Sequence, residues 1–344
     1  MMRPCRFPDK LPQQFPTVPD GFPARCAGKE CFMFEGATIL RRRLANPEII
    51  RLAGAHNALS AKMAERAGFE GVWASGFEIA ASYAVPDASI VTMSEHLALA
   101  RSMCDAVKIP VVVDCDTGYG DELQFAHAVR QFEAAGVAGV CVEDKQFPKR
   151  NSFSGGRQEL VPIDAFVEKL HAGKQAQRTR DFAIIARTEA LIAGCDIAEA
   201  LLRARTYADA GADAVLIHSK ARTAAEIAQF AMEWDRPIPL VAVPTTYYDT
   251  PLNELAALGI KVVIYANQGL RCALKAMERV YAEILRSGST ASVEDELWPM
   301  QTIFKLQGVA NGEKRDATPA PATTPTPHPQ LPTPRELEEV IIES

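Results

Sequence analysis

Short apolar runs rich in β-branched residues alternate along this chain with stretches of helical periodicity. The runs predict buried strands over 49–55, 71–74, 110–115, 138–143, 182–187, 214–218, 238–243 and 261–265, with helices between them. Asp196 with Glu199, and Thr223 with Glu226, have capping-box spacing ahead of helical runs. Thr250-Pro251 places a cap residue before a helix-opening proline. Ala67-Gly68, Ala135-Gly136, Ala210-Gly211 and Leu258-Gly259 each end a helix with a residue that tolerates the left-handed conformation. Eight strands with eight crossovers predict an α/β fold, a closed (β/α)8 barrel of the TIM type. An open doubly wound sheet is the alternative, but no Gly-rich nucleotide loop supports it.

Beyond the eighth strand, Leu270, Leu274, Met277, Tyr281 and Ile284 form a helical stripe. A break at Ser287-Gly288-Ser289 precedes a further helix over 293–306. The chain divides into an irregular N-terminal extension (1–45), a barrel domain with terminal helices (46–308) and a disordered tail (309–344). The tail holds seven prolines with Thr, Ala and acidic residues, too little apolar surface to offset ordering.

Composition narrows the function. Of 344 residues 48% are hydrophobic, enough for a sizeable core, and a net charge of −6 argues against a nucleic-acid surface. No run reaches membrane-spanning length, and six prolines by residue 23 do not make a signal peptide. Eight scattered cysteines without CxxC pairs point to reduced thiols and a cytoplasmic location. An anionic substrate must then meet local positive charge or a metal.

The candidate chemistry clusters at the carboxyl ends of the strands, where barrels of this kind carry it. Asp114-Cys115-Asp116 ends the third strand, with both carboxylates on one side, and Glu143 ends the fourth. Such acids repel in a low-dielectric mouth unless a cation sits among them, and oxygen-only ligands favour Mg²⁺. The alternative is that they are solvated or paired with Lys145 and Arg187. The segment 143–152, Glu-Asp-Lys-Gln-Phe-Pro-Lys-Arg-Asn-Ser, runs from that strand into a polar loop. A loop bearing one cation and two neutral hydrogen-bond groups suits a small polyanion that must be covered and kept dry. Arg187 ends the fifth strand and His218 the sixth. His56 is expected to help cap the helix that begins at Asn57; His96, His127 and His171 read as surface or packing residues.

The pattern Glu-Asp-Lys, five residues, Asn-Ser resembles the signature of phosphoenolpyruvate mutases, within the isocitrate lyase/phosphoenolpyruvate mutase superfamily, and the resemblance runs over about 48–308. Where the lyases carry a catalytic cysteine this chain has Lys149-Arg150-Asn151-Ser152. The resemblance implies phosphoryl transfer between phosphoenolpyruvate and 3-phosphonopyruvate with Mg²⁺, or Mn²⁺. It implies that Asp114 binds the metal directly while Asp87, Asp116 and Glu143 act through water. Trp73, Ser75, Gly76 and Phe77 would bind the substrate, Ser75 and the backbone amides of Gly76 and Phe77 holding the pyruvyl carboxylate. Lys149, Asn151, Ser152, Arg187 and His218 would steady the phosphoryl group. It also implies dimers or tetramers built by exchange of the terminal helices, and a downstream phosphonopyruvate decarboxylase. Ser75-Gly76-Phe77-Glu78, 81–88 and Gly156-Arg157-Gln158-Glu159-Leu160 look more like phosphonopyruvate hydrolase, whereas Asn151 matches the mutase, since the hydrolase has threonine there. The mutase leads. A carbon–carbon lyase or oxaloacetate decarboxylase and a non-catalytic scaffold are weaker readings, the lyase for want of the cysteine, the scaffold because neither the acids nor the loop lysine is lost.

Overall fold

The computed structural model describes residues 35–308. Eight strands, all parallel to their neighbours, close in sequence order into a barrel: β1 (Ile50–Ala55), β2 (Gly71–Ala74), β3 (Val111–Asp114), β4 (Gly139–Glu143), β5 (Ala183–Thr188), β6 (Ala214–Ile217), β7 (Leu240–Ala242) and β8 (Ile260–Tyr265). Every expected strand is present within two residues of its expected ends. The helices are α1 (Glu35–Ala45), α2 (Ala58–Ala67), α3 (Gly76–Ser82), α4 (Met93–Ala106), α5 (Glu122–Ala134), α6 (Ile163–Ala176), α7 (Ala190–Ala193), α8 (Ile197–Asp209), α9 (Ala225–Glu233), α10 (Leu252–Ala257), α11 (Gln268–Ser287) and α12 (Met300–Leu306).

Alternation along each strand builds two apolar layers. Leu52, Trp73, Val112, Cys141, Ile185, Leu216, Val241 and Ile264, one from each strand, fill the barrel. Their outward neighbours, such as Val72, Val113, Val140 and Val215, pack under the helices. Leu40 of α1 joins the inner layer, and Arg41 donates to Asp213 at 2.9 Å and to the carbonyls of Arg180 and Phe182. The extension expected to be irregular through residue 45 is therefore helical from Glu35. The arginine run 41–43 masks its single buried face, Ala37 with Leu40. The rest of that extension, and the tail after 308, lie outside the described residues.

Local signals resolve unevenly. Gly68, Gly136, Gly211 and Gly259 are all left-handed, with φ between 82° and 98°. Asp196 caps α8 through the Glu199 amide. Thr223 makes no such cap: α9 starts at Ala225, and Glu226 accepts from Ser219 Oγ instead. At α10 the proline itself, Pro251, is the capping residue, so Thr250 lies outside.

The barrel unit runs through Val293, and a second compact unit starts at Glu294. Gly288 ends α11 in the left-handed conformation as expected. The single helix expected over 293–306 is split, because Pro299 caps α12 and only a 3-10 turn, Glu294–Glu296, precedes it. None of the described helices is long and apolar enough to cross a membrane.

Candidate active site

At the carboxyl ends of the strands lies a cavity of about 210 Å³. Eleven of the thirteen expected site residues line it: Trp73, Ser75, Phe77, Asp87, Asp114, Glu143, Lys149, Asn151, Ser152, Arg187 and His218. The other two stand just behind. Gly76 lacks a side chain for good reason, since a Cβ there would come 2.7 Å from Asp116 Oδ1 and 3.5 Å from Asp114 Oδ2. Asp116 lies on the far side of Lys149, with its backbone at φ 51°, and faces a neighbouring groove.

Ser75 ends the turn after β2 and caps α3, its Oγ accepting from the Glu78 amide at 3.3 Å. The Gly76 and Phe77 amides begin that helix, where N–H groups have no partner within the helix. His56 does not cap α2. Asn57 does, with Ser60, while His56 Nδ1 lies 3.0 Å from the buried Glu78.

The strand periodicity sorts the signature after β4. Glu143 and Lys145 face the cavity, whereas Asp144 between them points outward. Asp144 accepts from Tyr207 Oη at 2.8 Å, Arg203 Nη1 at 3.2 Å and the Glu189 amide at 2.8 Å. Burial pushes its carboxyl up to about 6 despite these donors.

The groups expected to hold a phosphoryl are engaged with carboxylates. Lys149 Nζ donates to Asp87 at 2.8 Å and to Asp116 at 2.5 Å. Asn151 Nδ2 donates to Asp87 at 2.7 Å. Ser152 Oγ donates to Glu189 at 2.7 Å and accepts from Lys145 Nζ at the same distance. Arg187 Nε donates to Glu189 at 2.5 Å and lies 3.3 Å from Glu143. His218 Nδ1 is 2.6 Å from Glu189 and 2.8 Å from Arg187 Nη2. Glu189, wholly buried, is thus the hub of the site, and Lys145 its second unassigned member. A usable signal existed for both: each stands two residues beyond a recognised rim residue, Arg187 and Glu143, on the same side of its strand.

The acids divide by their surroundings. Burial pushes Asp116 up to about 7, with Asp114, Asp87 and Glu143 adding to the shift against Lys149. Burial also opposes ionisation of Asp87, but the Lys149 charge and hydrogen bond hold it below the usual carboxylate range. The two share one lysine, but Asp116 is the more deeply buried and has more acidic neighbours, whereas Asp87 also accepts from Asn151.

The donor set fits a hard divalent cation. All its atoms are oxygens, Asp114 and Asp116 both point at the bare face of Gly76, and Glu143 Oε1 is buried without a hydrogen-bond partner. Among the described residues no three such side chains already enclose a cation-sized space. Lys149 supplies the positive charge between Asp87 and Asp116.

The family model for phosphoenolpyruvate phosphomutase matches residues 40–285. The chain belongs to the phosphoenolpyruvate phosphomutase family. Members of this family differ in reaction. Phosphonopyruvate hydrolase from Variovorax sp. (strain Pal2) is 46% identical over 78% of this chain and 93% of its own length. The crystal structure of phosphoenolpyruvate phosphomutase from Streptomyces platensis subsp. rosaceus is 52% identical, with a TM-score of 0.79, covering 79% of this chain and 95% of that one. A phosphonopyruvate hydrolase in complex with oxalate and Mg²⁺ is 44% identical, with a TM-score of 0.76 over the same shares of the two chains. The phosphomutase-family barrel here is thus an enzyme scaffold, with the cavity at its rim.

Proposed function

We propose that this protein interconverts phosphoenolpyruvate and 3-phosphonopyruvate by intramolecular phosphoryl transfer. The observation that carries the reading is Asn151. Its carboxamide enters the cavity from the loop after β4, fixed at both ends, with Nδ2 on Asp87 and Oδ1 accepting from the Phe153 amide at 2.9 Å. A carboxamide offers hydrogen bonds to phosphoryl oxygens but has no basic group with which to activate water. Asp114, Asp87, Asp116 and Glu143 would hold Mg²⁺, or Mn²⁺, which would supply positive charge for the carboxylate and the enol oxygen of the substrate.

The residues of the chain do the rest. Ser75 and the Gly76 and Phe77 amides bind the carboxylate, with Trp73 as the floor. Arg187, Lys149, Asn151, Ser152 and His218 turn to the phosphoryl group, exchanging carboxylate partners for substrate oxygens. A loosely bonded, metaphosphate-like phosphoryl then needs only orientation and dryness to find carbon three. No covalent intermediate on a side chain is required.

The second reading is phosphonopyruvate hydrolase, favoured by the Variovorax relative. The two diverge only in whether water reaches phosphorus. ³¹P NMR of the purified protein with phosphonopyruvate and Mg²⁺ separates them: phosphoenolpyruvate is expected, and inorganic phosphate with pyruvate instead overturns the mutase reading. Because formation of the carbon–phosphorus bond is uphill, a mutase working in biosynthesis needs its product removed, as a phosphonopyruvate decarboxylase does. The apolar face of α11, with Leu274, Met277 and Tyr281 exposed, fits burial against a second copy in a dimer or tetramer. The described cysteines are free thiols, which suits a reducing cytoplasm.

A further inference from the structure

His218 is held from one side only. Its Nδ1 is 2.6 Å from Glu189 Oε1 and 2.8 Å from Arg187 Nη2, while Nε2 makes no hydrogen bond among the described residues and the ring lines the cavity. The two Nδ1 contacts demand opposite tautomers, because a carboxylate only accepts and a guanidinium only donates. Glu189 decides between them. It is the nearer and wholly buried, held by Ser152 and Lys145, whereas Arg187 lines the cavity and has N–H groups to turn toward a ligand. A bare Nδ1 would set its lone pair against a carboxylate oxygen at 2.6 Å.

We propose that Glu189 is a positioning residue that keeps the His218 proton on Nδ1, leaving Nε2 a bare acceptor in the cavity. An anionic phosphoryl or sulfonyl group then binds together with one proton from solvent, which settles on Nε2 and makes the ring a double donor. The inference rests on the reading of His218 as a phosphoryl-facing group, and it adds where the proton stands before and after binding.

Charge gives the reason for the uptake. Around the cavity the five carboxylates of Asp87, Asp114, Asp116, Glu143 and Glu189 face three cations, Lys145, Lys149 and Arg187. With all five ionised and a divalent cation added the cluster is no better than neutral, which leaves the charges of the incoming ligand uncompensated. One proton on Nε2 offsets part of them at the point of contact. The groups facing His218 are Glu189 and Arg187 from β5 and its end, Lys145 from the end of β4, and the Phe153 ring edge-on at 5.8 Å. Burial, joined by Arg187 and opposed by Glu189, holds the free imidazole below its usual 6.5, so it is neutral at pH 7 and has a proton to gain.

The test uses the full chain with Mg²⁺ and sulfopyruvate, whose sulfonate carries no titratable proton near neutrality, so that any proton gained lands on the protein. ¹⁵N-histidine NMR should find His218 protonated at Nδ1 only in the free enzyme and at both nitrogens with ligand bound. Calorimetry in buffers of differing ionisation enthalpy at pH 8 should count close to one proton taken up per site, lost in His218→Asn. Glu189→Gln, able to donate to Nδ1, should reverse the free-state tautomer. A proton on Nε2 in the free wild-type enzyme, or uptake unchanged in His218→Asn, overturns the inference; the wild-type spectrum decides even if the variants fail to fold. Release of phosphate in the ³¹P assay with proton uptake intact removes the mutase reading and leaves this one standing.

Discussion

Asn151 Nδ2 donates to Asp87 Oδ2 across 2.7 Å, joining the loop after β4 to the segment that follows α3. The same carboxylate accepts from Lys149 at 2.8 Å, so two loop residues close on one acid. Asn151→Ala removes the proposed phosphoryl hydrogen bond and the loop's neutral anchor together. Loss of one such donor in a dry site costs about a hundred- to a thousandfold in kcat. Turnover of phosphonopyruvate to phosphoenolpyruvate should fall by that factor, and surviving activity should tilt toward phosphate. Asn151→Thr should tilt further, since it imports the residue of the hydrolase. Wild-type turnover in Asn151→Ala would show that the loop is no gate.

The acids of β3 and β4 should make activity depend on a divalent cation. Exhaustive chelation is expected to abolish turnover and Mg²⁺ or Mn²⁺ to restore it, while Asp114→Ala stays nearly inactive at any metal concentration. Full turnover after chelation is the result that removes the metal assignment.

Arg187 reaches Glu189, Glu143 and Ser152 at once. Only a planar fork serves several acceptors together. Arg187→Ala should therefore lose far more of kcat/KM than Arg187→Lys, and the lysine variant should still be poor. Unchanged kcat and KM in both would exclude Arg187 as a substrate ligand.

His96, expected from sequence to be a surface or packing residue, is buried with Nδ1 on Tyr119 Oη at 2.7 Å and Nε2 without a partner among the described residues. Burial lowers its pKa from 6.5 to about 4. The folded state thus keeps the ring neutral, and its contribution to stability is lost as pH falls below the unfolded value. Between pH 7 and pH 5 that loss is about 2 kcal/mol. Urea unfolding at both values should show this difference for wild type and not for His96→Gln; an equal drop in both proteins contradicts it.

The apolar face of α11 gives a further check. Leu274→Glu with Tyr281→Glu should shift sedimentation to a smaller species while circular dichroism stays unchanged. An unaltered mass would place any oligomer contact elsewhere.

The barrel was legible because buried parallel strands are short β-branched runs, and each appears within two residues of its expected place. The acids and the loop were legible because strand ends fix the rim. What stayed hidden depended on partners far apart in sequence. Glu226 turns to Ser219 rather than to a cap. Glu189 looks like a solvated residue at a helix start until β4, β6 and the loop bring Lys145, His218 and Ser152 to it. The pairing of Lys149 with Asp87 and Asp116 was hidden as well, because both acids come from segments far from the loop in sequence.

Asp144 answers to the outside of the barrel, through Tyr207 and Arg203 of α8, while accepting the amide of Glu189 on the rim. The rim is therefore not a detachable crown. A graft that carries the loops onto another barrel without those two helix residues would strand a buried carboxylate and let the Glu189 backbone drift. Transplanting this chemistry means transplanting part of the wall.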